Sequence, residues 1–171
     1  MYFIIIAFII ILDQYIKYSI QANIALNHSI PIIEDIFHIT YIQNSGAAFS
    51  ILQNQTKFLI IVPLIVTILV IGYIILRRKI DHWTILLSMS FIAAGGIGNL
   101  IDRISYGYVV DFFDFRVFPI FNVADISVCI GCGLLLFYMF FVEPRTTKKR
   151  KVNMHSNVAL NDITNKLGKF K

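Results

Sequence analysis

The chain has 171 residues, 57% of them hydrophobic and 15% charged, well below the roughly 25% charge of an average soluble domain. That deficit, with several apolar runs near the ~20 residues needed to cross a bilayer, indicates an integral membrane protein built as one bundle. The net charge of +5 resides mostly in the C-terminal tail and not on a basic face, which makes nucleic-acid binding a poor reading.

Residues 2–20 begin with an apolar run and lack both the basic n-region and the small-residue cleavage site of a removable leader, so they are expected to stay as a first helix. Asp13 and Lys17 interrupt the run four residues apart, acid first, on one helix face. They fit an ion pair that lowers the cost of both charges, and equally a brace for a neighbouring helix or a contact to substrate. Residues 21–57 contain no span. Short β-type runs broken by Pro31 and several asparagines predict a small, partly β extracytoplasmic element resting on the membrane face, with a turn at Asn44-Ser45-Gly46. Residues 58–76, 83–101 and 122–142 are three further spans. Pro63 is tolerated near the start of the second, and Asn122 is a candidate N-cap for the fourth.

Arg77, Arg78 and Lys79 follow the second span, and residues 145–171 hold eight of the fifteen Lys and Arg side chains. With four spans both clusters fall on one side, which the positive-inside rule makes the cytoplasm. The expected organisation is a membrane domain over residues 1–144 and a basic cytoplasmic tail over 145–171. Both termini then lie inside, and residues 21–57 and a 102–121 loop face outward. The tail reads as a topology anchor, with anionic phospholipid as a weaker alternative.

Four of the ten acidic residues, Asp102, Asp111, Asp114 and Asp125, crowd into residues 95–125 between long apolar runs. Carboxylates at membrane level each cost roughly 2.5–3.5 kcal/mol on insertion scales unless they are paired or wet, which makes them functional candidates. Two forced close together share a proton, so that one can activate water while the other protonates a leaving amine. Asp111 and Asp125 are the natural partners, because Gly107 and Pro119 let the intervening chain fold back. Spacing alone leaves plainer readings open: Asp125 in a capping box with Asn122, Asp102 paired with Arg103, and Asp114 solvated beside Arg116. The four histidines are scattered, with no H-E-x-x-H pattern, and there is no G-x-S-x-G elbow. Cys129 and Cys132 read as small, packable helix residues.

Five motifs in order carry a resemblance. They are Asp13-Gln14 with Lys17, Asn44-Ser45-Gly46-Ala47-Ala48-Phe49, Gly98-Asn99-Leu100-Ile101-Asp102-Arg103, Val109-Val110-Asp111-Phe112 and Phe121-Asn122-Val123-Ala124-Asp125. Over roughly residues 10–135 the chain resembles the bacterial lipoprotein signal peptidases (signal peptidase II), aspartic proteases of the cytoplasmic membrane. The resemblance implies a mainly α membrane protein that removes the signal peptide just before a diacylglyceryl-modified cysteine at the outer membrane face. It implies Asp111 and Asp125 as the catalytic pair. Asn44, Gly46, Asn99, Arg103 and Asn122 would line the site, and Asp13, Lys17 and Asp102 would support it. The implied partners are lipid-modified prolipoproteins and membrane phospholipid, with the enzyme a monomer and neither metal nor organic cofactor required. Two departures stand out: a short Asp111–Asp125 connection that lacks tryptophan, and a long basic tail. The Ile130-Gly131-Cys132 sequence imitates a lipoprotein cleavage box, but it lies inside the fourth span. Apart from the resemblance, a proton-coupled transporter with carboxylates near mid-bilayer and a non-catalytic scaffold are the competing classes.

Overall fold

The computed structural model describes residues 1–46 and 55–143. Ala47-Ala48-Phe49 of the second motif and the 145–171 tail lie outside them. The chain divides into two compact units, Met1–Leu134 and Leu135–Lys171. In order, the first contains α1 (Tyr2–Asn23), β1 (Ser29–Ile33), β2 (Phe37–Asn44), α2 (Thr56–Arg77), α3 (Trp83–Tyr106), β3 (Val109–Asp114) and most of α4 (Val123–Phe137). The described part of the second comprises the end of α4 and a π-helical stretch, Tyr138–Val142; the ring of Phe137, the last residue of α4, stacks on that of Phe141 with centroids 5.3 Å apart.

Among the described residues four helices are long and apolar enough to cross a membrane: Tyr2–Asn23, Lys57–Arg77, Trp83–Tyr106 and Val123–Val142. Their apolar side chains point mostly outward. Ile4, Phe8 and Ile11 on α1 and Ile68 and Leu69 on α2 are more than half exposed, as expected where lipid and not water surrounds the bundle. Half of the most apolar window of α3 is buried, against 22% in α1 and 17% in α2, so α3 is the central helix. Ile6 and Ile9 of α1, Ile74 of α2 and Ala93 and Ala94 of α3 form the buried core that joins them.

The third span is longer than the expected 83–101. It runs to Tyr106 and therefore carries both Asp102 and Arg103, and it ends at Gly107, whose φ of +81° is the left-handed conformation a residue without Cβ adopts freely. The 102–121 stretch expected as a loop thus begins as helix and continues as β3. The three strands form an antiparallel sheet in the order β1-β2-β3, so the partly β element after the first span is completed by a strand from a distant part of the sequence. A register shift between Ile39 and Ile42 of β2 bends this pairing, the usual device for re-aiming side chains near a site.

Cys129 and Cys132 are free and exposed. The close packing expected of them belongs to Gly131, where an added Cβ would lie 2.8 Å from the Ser88 carbonyl of α3. Asp114 is not merely solvated. It is 5% exposed and accepts hydrogen bonds from Thr40 Oγ1 (2.8 Å), the Arg116 backbone N–H (2.9 Å) and Arg116 Nη1 (3.1 Å). Burial works to raise its carboxyl, but these bonds outweigh it and hold Asp114 below the usual carboxylate value.

Candidate active site

The site forms where β3 and the start of α4 meet the end of α3. Pairing of β2 with β3 sets Asn44 opposite Val109 and Ile42 opposite Asp111, and Asn44 Nδ2 donates to Asp111 Oδ2 at 2.8 Å. Beyond β3 the chain returns on itself. The Phe121 carbonyl accepts from the Phe112 and Phe113 N–H groups (3.0 and 2.8 Å), and the Phe121 N–H donates to the Phe113 carbonyl at 3.2 Å. Phe115 and Phe121 stack with ring centroids 5.9 Å apart and nearly parallel. Aromatic packing of this kind keeps the short connection folded back without a tryptophan.

That return brings Asn122 to both candidate aspartates. Asn122 Nδ2 donates to Asp111 Oδ1 at 2.7 Å. Its Oδ1 accepts the Asp125 N–H at 3.0 Å while Asp125 Oδ2 accepts the Asn122 N–H at 3.1 Å, the reciprocal pair of a capping box. Asp125 Oδ1 accepts from Asn99 Nδ2 at 2.8 Å. The capping and paired-carboxylate readings of Asp125 are therefore compatible, since one residue occupies both positions.

Arg103 does not pair with Asp102. Its Nη2 donates to the Gly46 carbonyl at 3.0 Å, and the Gly46 N–H closes a turn onto Asn44 Oδ1 at 2.9 Å. Asp102 turns instead toward Lys17, whose ammonium lies 2.9 Å from both Asp13 and Asp102 and 3.0 Å from Asn99 Oδ1. All ten residues singled out in the sequence thus belong to one connected region. Gln14, part of the first motif but given no role at the site, joins it: its Nε2 donates to Asp102 Oδ1 at 2.9 Å and to the Gly98 carbonyl at 3.2 Å. Its place one residue after Asp13 was the available signal.

A cavity of about 520 Å³ opens onto this region, lined on its polar side by Asn44, Asn99, Arg103, Asp111 and Asp125 and on its apolar side by residues such as Phe118 and Ile126. Asp111 is 3% exposed. Burial, and then the charge of Asp125, push its carboxyl up to about 7 against the hydrogen bonds from Asn44 and Asn122. A carboxyl that holds a proton near neutrality beside a second carboxylate is equipped for acid–base chemistry on a bound amide. Among the described residues no group of three or more His, Cys, Asp or Glu side chains is placed to hold a metal ion.

The model of one protein family, described as Signal peptidase (SPase) II, matches residues 5–141. A lipoprotein signal peptidase from Halothermothrix orenii is 44% identical over 143 residues, covering 84% of this chain and 97% of that protein. One from Brevibacillus brevis is 48% identical over 142 residues, covering 81% and 94%. Among solved structures, a bacterial membrane enzyme determined by the in meso method superposes with a TM-score of 0.74 at 34% identity, covering 81% of this chain and 86% of that one.

Proposed function

Because the chain belongs to the signal peptidase II family, we propose that Asp111 and Asp125 are the catalytic pair with which it hydrolyses its substrate. The protein is a multi-pass membrane protease that removes signal peptides from prolipoproteins. The carrying observation is that Asn122 hydrogen-bonds both carboxylates at the mouth of one cavity while Asp111 is held near neutrality. Asp125, whose oxygens accept N–H bonds at a helix start, serves as the base. It takes a proton from water, and the water oxygen attacks the scissile carbonyl carbon. Asp111 donates its proton to the carbonyl oxygen. Collapse of the tetrahedral intermediate then breaks the C–N bond: the proton that Asp125 took from water passes to the departing amine, and the hydroxyl formed on the carbonyl oxygen returns its proton to Asp111.

Asn44, Asn99 and Arg103, which line the cavity, hold the substrate backbone, with Gly46 anchoring the turn on which Asn44 sits; Asn122, 0% exposed, holds the two aspartates instead, and Asp13, Lys17 and Asp102 support the site. The cut falls just before the diacylglyceryl-modified cysteine, whose acyl chains stay in the bilayer. The protein acts as a monomer among phospholipids, with residues 1–144 as the catalytic domain and no role for nucleic acid. The orientation rests on the basic residues. Arg77, Arg78 and Lys79 lie at the end of the bundle opposite the aspartates, so with both termini in the cytoplasm the site faces outward.

The test is cleavage by purified protein in detergent and in liposomes. A diacylglyceryl-modified prolipoprotein is expected to be cut, with mass spectrometry locating the new N-terminus at the modified cysteine. Folded protein that left authentic lipid-modified substrates intact across lipid compositions would overturn the reading.

The pH profile is a second expected result. Asp111 holds its proton below about pH 7, so kcat/KM is expected to fall about tenfold per unit above that value as the acid is lost. Stability follows the same sign. The folded carboxyl binds its proton more tightly than the unfolded one, so its contribution is full below the ordinary aspartate value of 3.8 and is lost as pH rises through about 7. Unfolding midpoints in detergent measured from pH 4 to 8 check this. A flat activity profile from pH 6 to 9 would remove Asp111 as the acid.

A further inference from the structure

Lys17 is 2% exposed and the carboxylates it contacts, Asp13 and Asp102, are 0% and 1% exposed. Each of those carboxylates also grips backbone. Asp13 Oδ1 accepts the Ala124 N–H at 2.9 Å, and Asp102 Oδ2 accepts the Val110 N–H at 3.1 Å. Ala124 immediately precedes Asp125, and Val110 immediately precedes Asp111. One ammonium therefore ties together two arms, each ending one residue before a proposed catalytic aspartate: one arm holds the start of α4, the other holds β3.

A third arm leads to a side chain. Lys17 Nζ donates to Asn99 Oδ1 at 3.0 Å. An ammonium has only donors, so it fixes which end of the Asn99 amide faces it and directs the Asn99 NH₂ to Asp125 Oδ1 at 2.8 Å. A bare ion pair within the bundle would explain the charge compensation but not why every arm terminates beside the same two residues.

We infer that Lys17 is a positioning residue that, through Asp13, Asp102 and Asn99, sets the separation and aim of Asp111 and Asp125. This rests on the catalytic assignment above. A water attacking the substrate must lie within hydrogen-bonding reach of one carboxylate while the other reaches the carbonyl oxygen. The separation of β3 from the start of α4 decides whether both conditions hold at once. Of the three groups that Lys17 contacts, Asn99 alone lines the cavity, so substrate binding draws mainly on walls that Lys17, Asp13 and Asp102 do not form.

The experiment compares steady-state cleavage and thermal unfolding for wild type, Lys17→Met, Lys17→Arg and the triple variant Asp13→Asn/Lys17→Met/Asp102→Asn. Lys17→Met leaves two buried carboxylates uncompensated and is expected to lose stability as well as activity. The triple variant is neutral, and its asparagine oxygens still accept the Ala124 and Val110 N–H groups, so it is expected to fold. Its kcat is expected to fall roughly a hundredfold, the cost of about 1 Å of misplacement, with KM within about threefold of wild type. Lys17→Arg keeps the charge in a larger planar group and is expected to show the same split in smaller measure. Restoration of wild-type kcat in the triple variant would reduce Lys17 to charge compensation, and so would a kcat loss that merely tracks the folded fraction across the series. Asp111→Asn run in parallel separates the two levels. Turnover by that variant discards the catalytic assignment and the inference with it, whereas a fully active triple variant discards the inference alone.

Discussion

Asp111→Asn and Asp125→Asn are each expected to lower kcat by at least about 10,000-fold while leaving folded protein in the membrane, because each removes one member of a unit that works only as a pair. The substitutions are close to isosteric, so the loss reports proton chemistry and not repacking. They differ in stability. Burial disfavours charge on Asp111, so at pH 8 the neutral amide removes a penalty that wild type carries. The Asp111→Asn unfolding midpoint at that pH is expected to stay near wild type even though activity is gone, because lifting that penalty offsets the loss of one acceptor: the amide NH₂ must face either Asn44 Nδ2 or Asn122 Nδ2, both donors to the carboxylate.

Asp125→Asn weakens a helix start. The carboxylate accepts the Asn122 N–H at 3.1 Å and sits in the first turn of α4, where negative charge is favourable. Its loss is expected to cost about 0.5–2 kcal/mol. Cleavage of a lipid-modified prolipoprotein and thermal unfolding, both measured at pH 6 and 8, check the pair. Either variant turning over within tenfold of wild type would show that the hydrolysis does not run through this dyad.

The way these residues are held explains what the sequence disclosed. Span lengths are local properties of apolar runs, and all four spans are legible in them. The Asn122–Asp125 capping spacing is equally local and marks the start of α4 to within a residue. The end of α3, at Tyr106, is not legible locally, because Asp102 and Arg103 look like loop residues. They remain helical because their partners, Lys17 on α1 and the Gly46 carbonyl after β2, come from elsewhere in the chain. β3 was missed for the same kind of reason. Val109–Asp114 carries two aspartates in six residues, and only its pairing with β2, far away in sequence, makes it a strand. Asp114, expected to be solvated, is covered because Thr40 on that partner strand reaches it. The i,i+4 spacing showed the Asp13–Lys17 pair, but nothing local shows that the ammonium has a second carboxylate and an asparagine to hold.

Gly95→Ala is the second large expected effect, and it acts without touching a polar group of the site. A Cβ at Gly95 would run into the Ala124 carbonyl oxygen and lie 2.7 Å from Val128 Cγ2 of α4. The first obstacle is backbone and cannot swing aside, so α4 must move off α3. Ala124 is the residue before Asp125, and the displacement therefore passes directly to the carboxylate and to the Ala124 N–H held by Asp13. Overpacking of this kind costs about 1–3 kcal/mol. A shift approaching 1 Å at the reacting group lowers kcat by roughly a hundredfold. Gly98→Ala is expected to act similarly, since its Cβ would lie 2.7 Å from Asp13 Oδ2 and 3.1 Å from Ala124 Cβ. Gly72 on α2 supplies the contrast. Nothing lies within 4 Å of its added Cβ, so Gly72→Ala is expected to leave cleavage unchanged and to gain the helix preference of alanine, up to about 1 kcal/mol. Unfolding midpoints and kcat for the three variants separate close helix approach from helix propensity. If Gly95→Ala behaved like Gly72→Ala in both, the tight α3–α4 contact would not be what holds Asp125 in place.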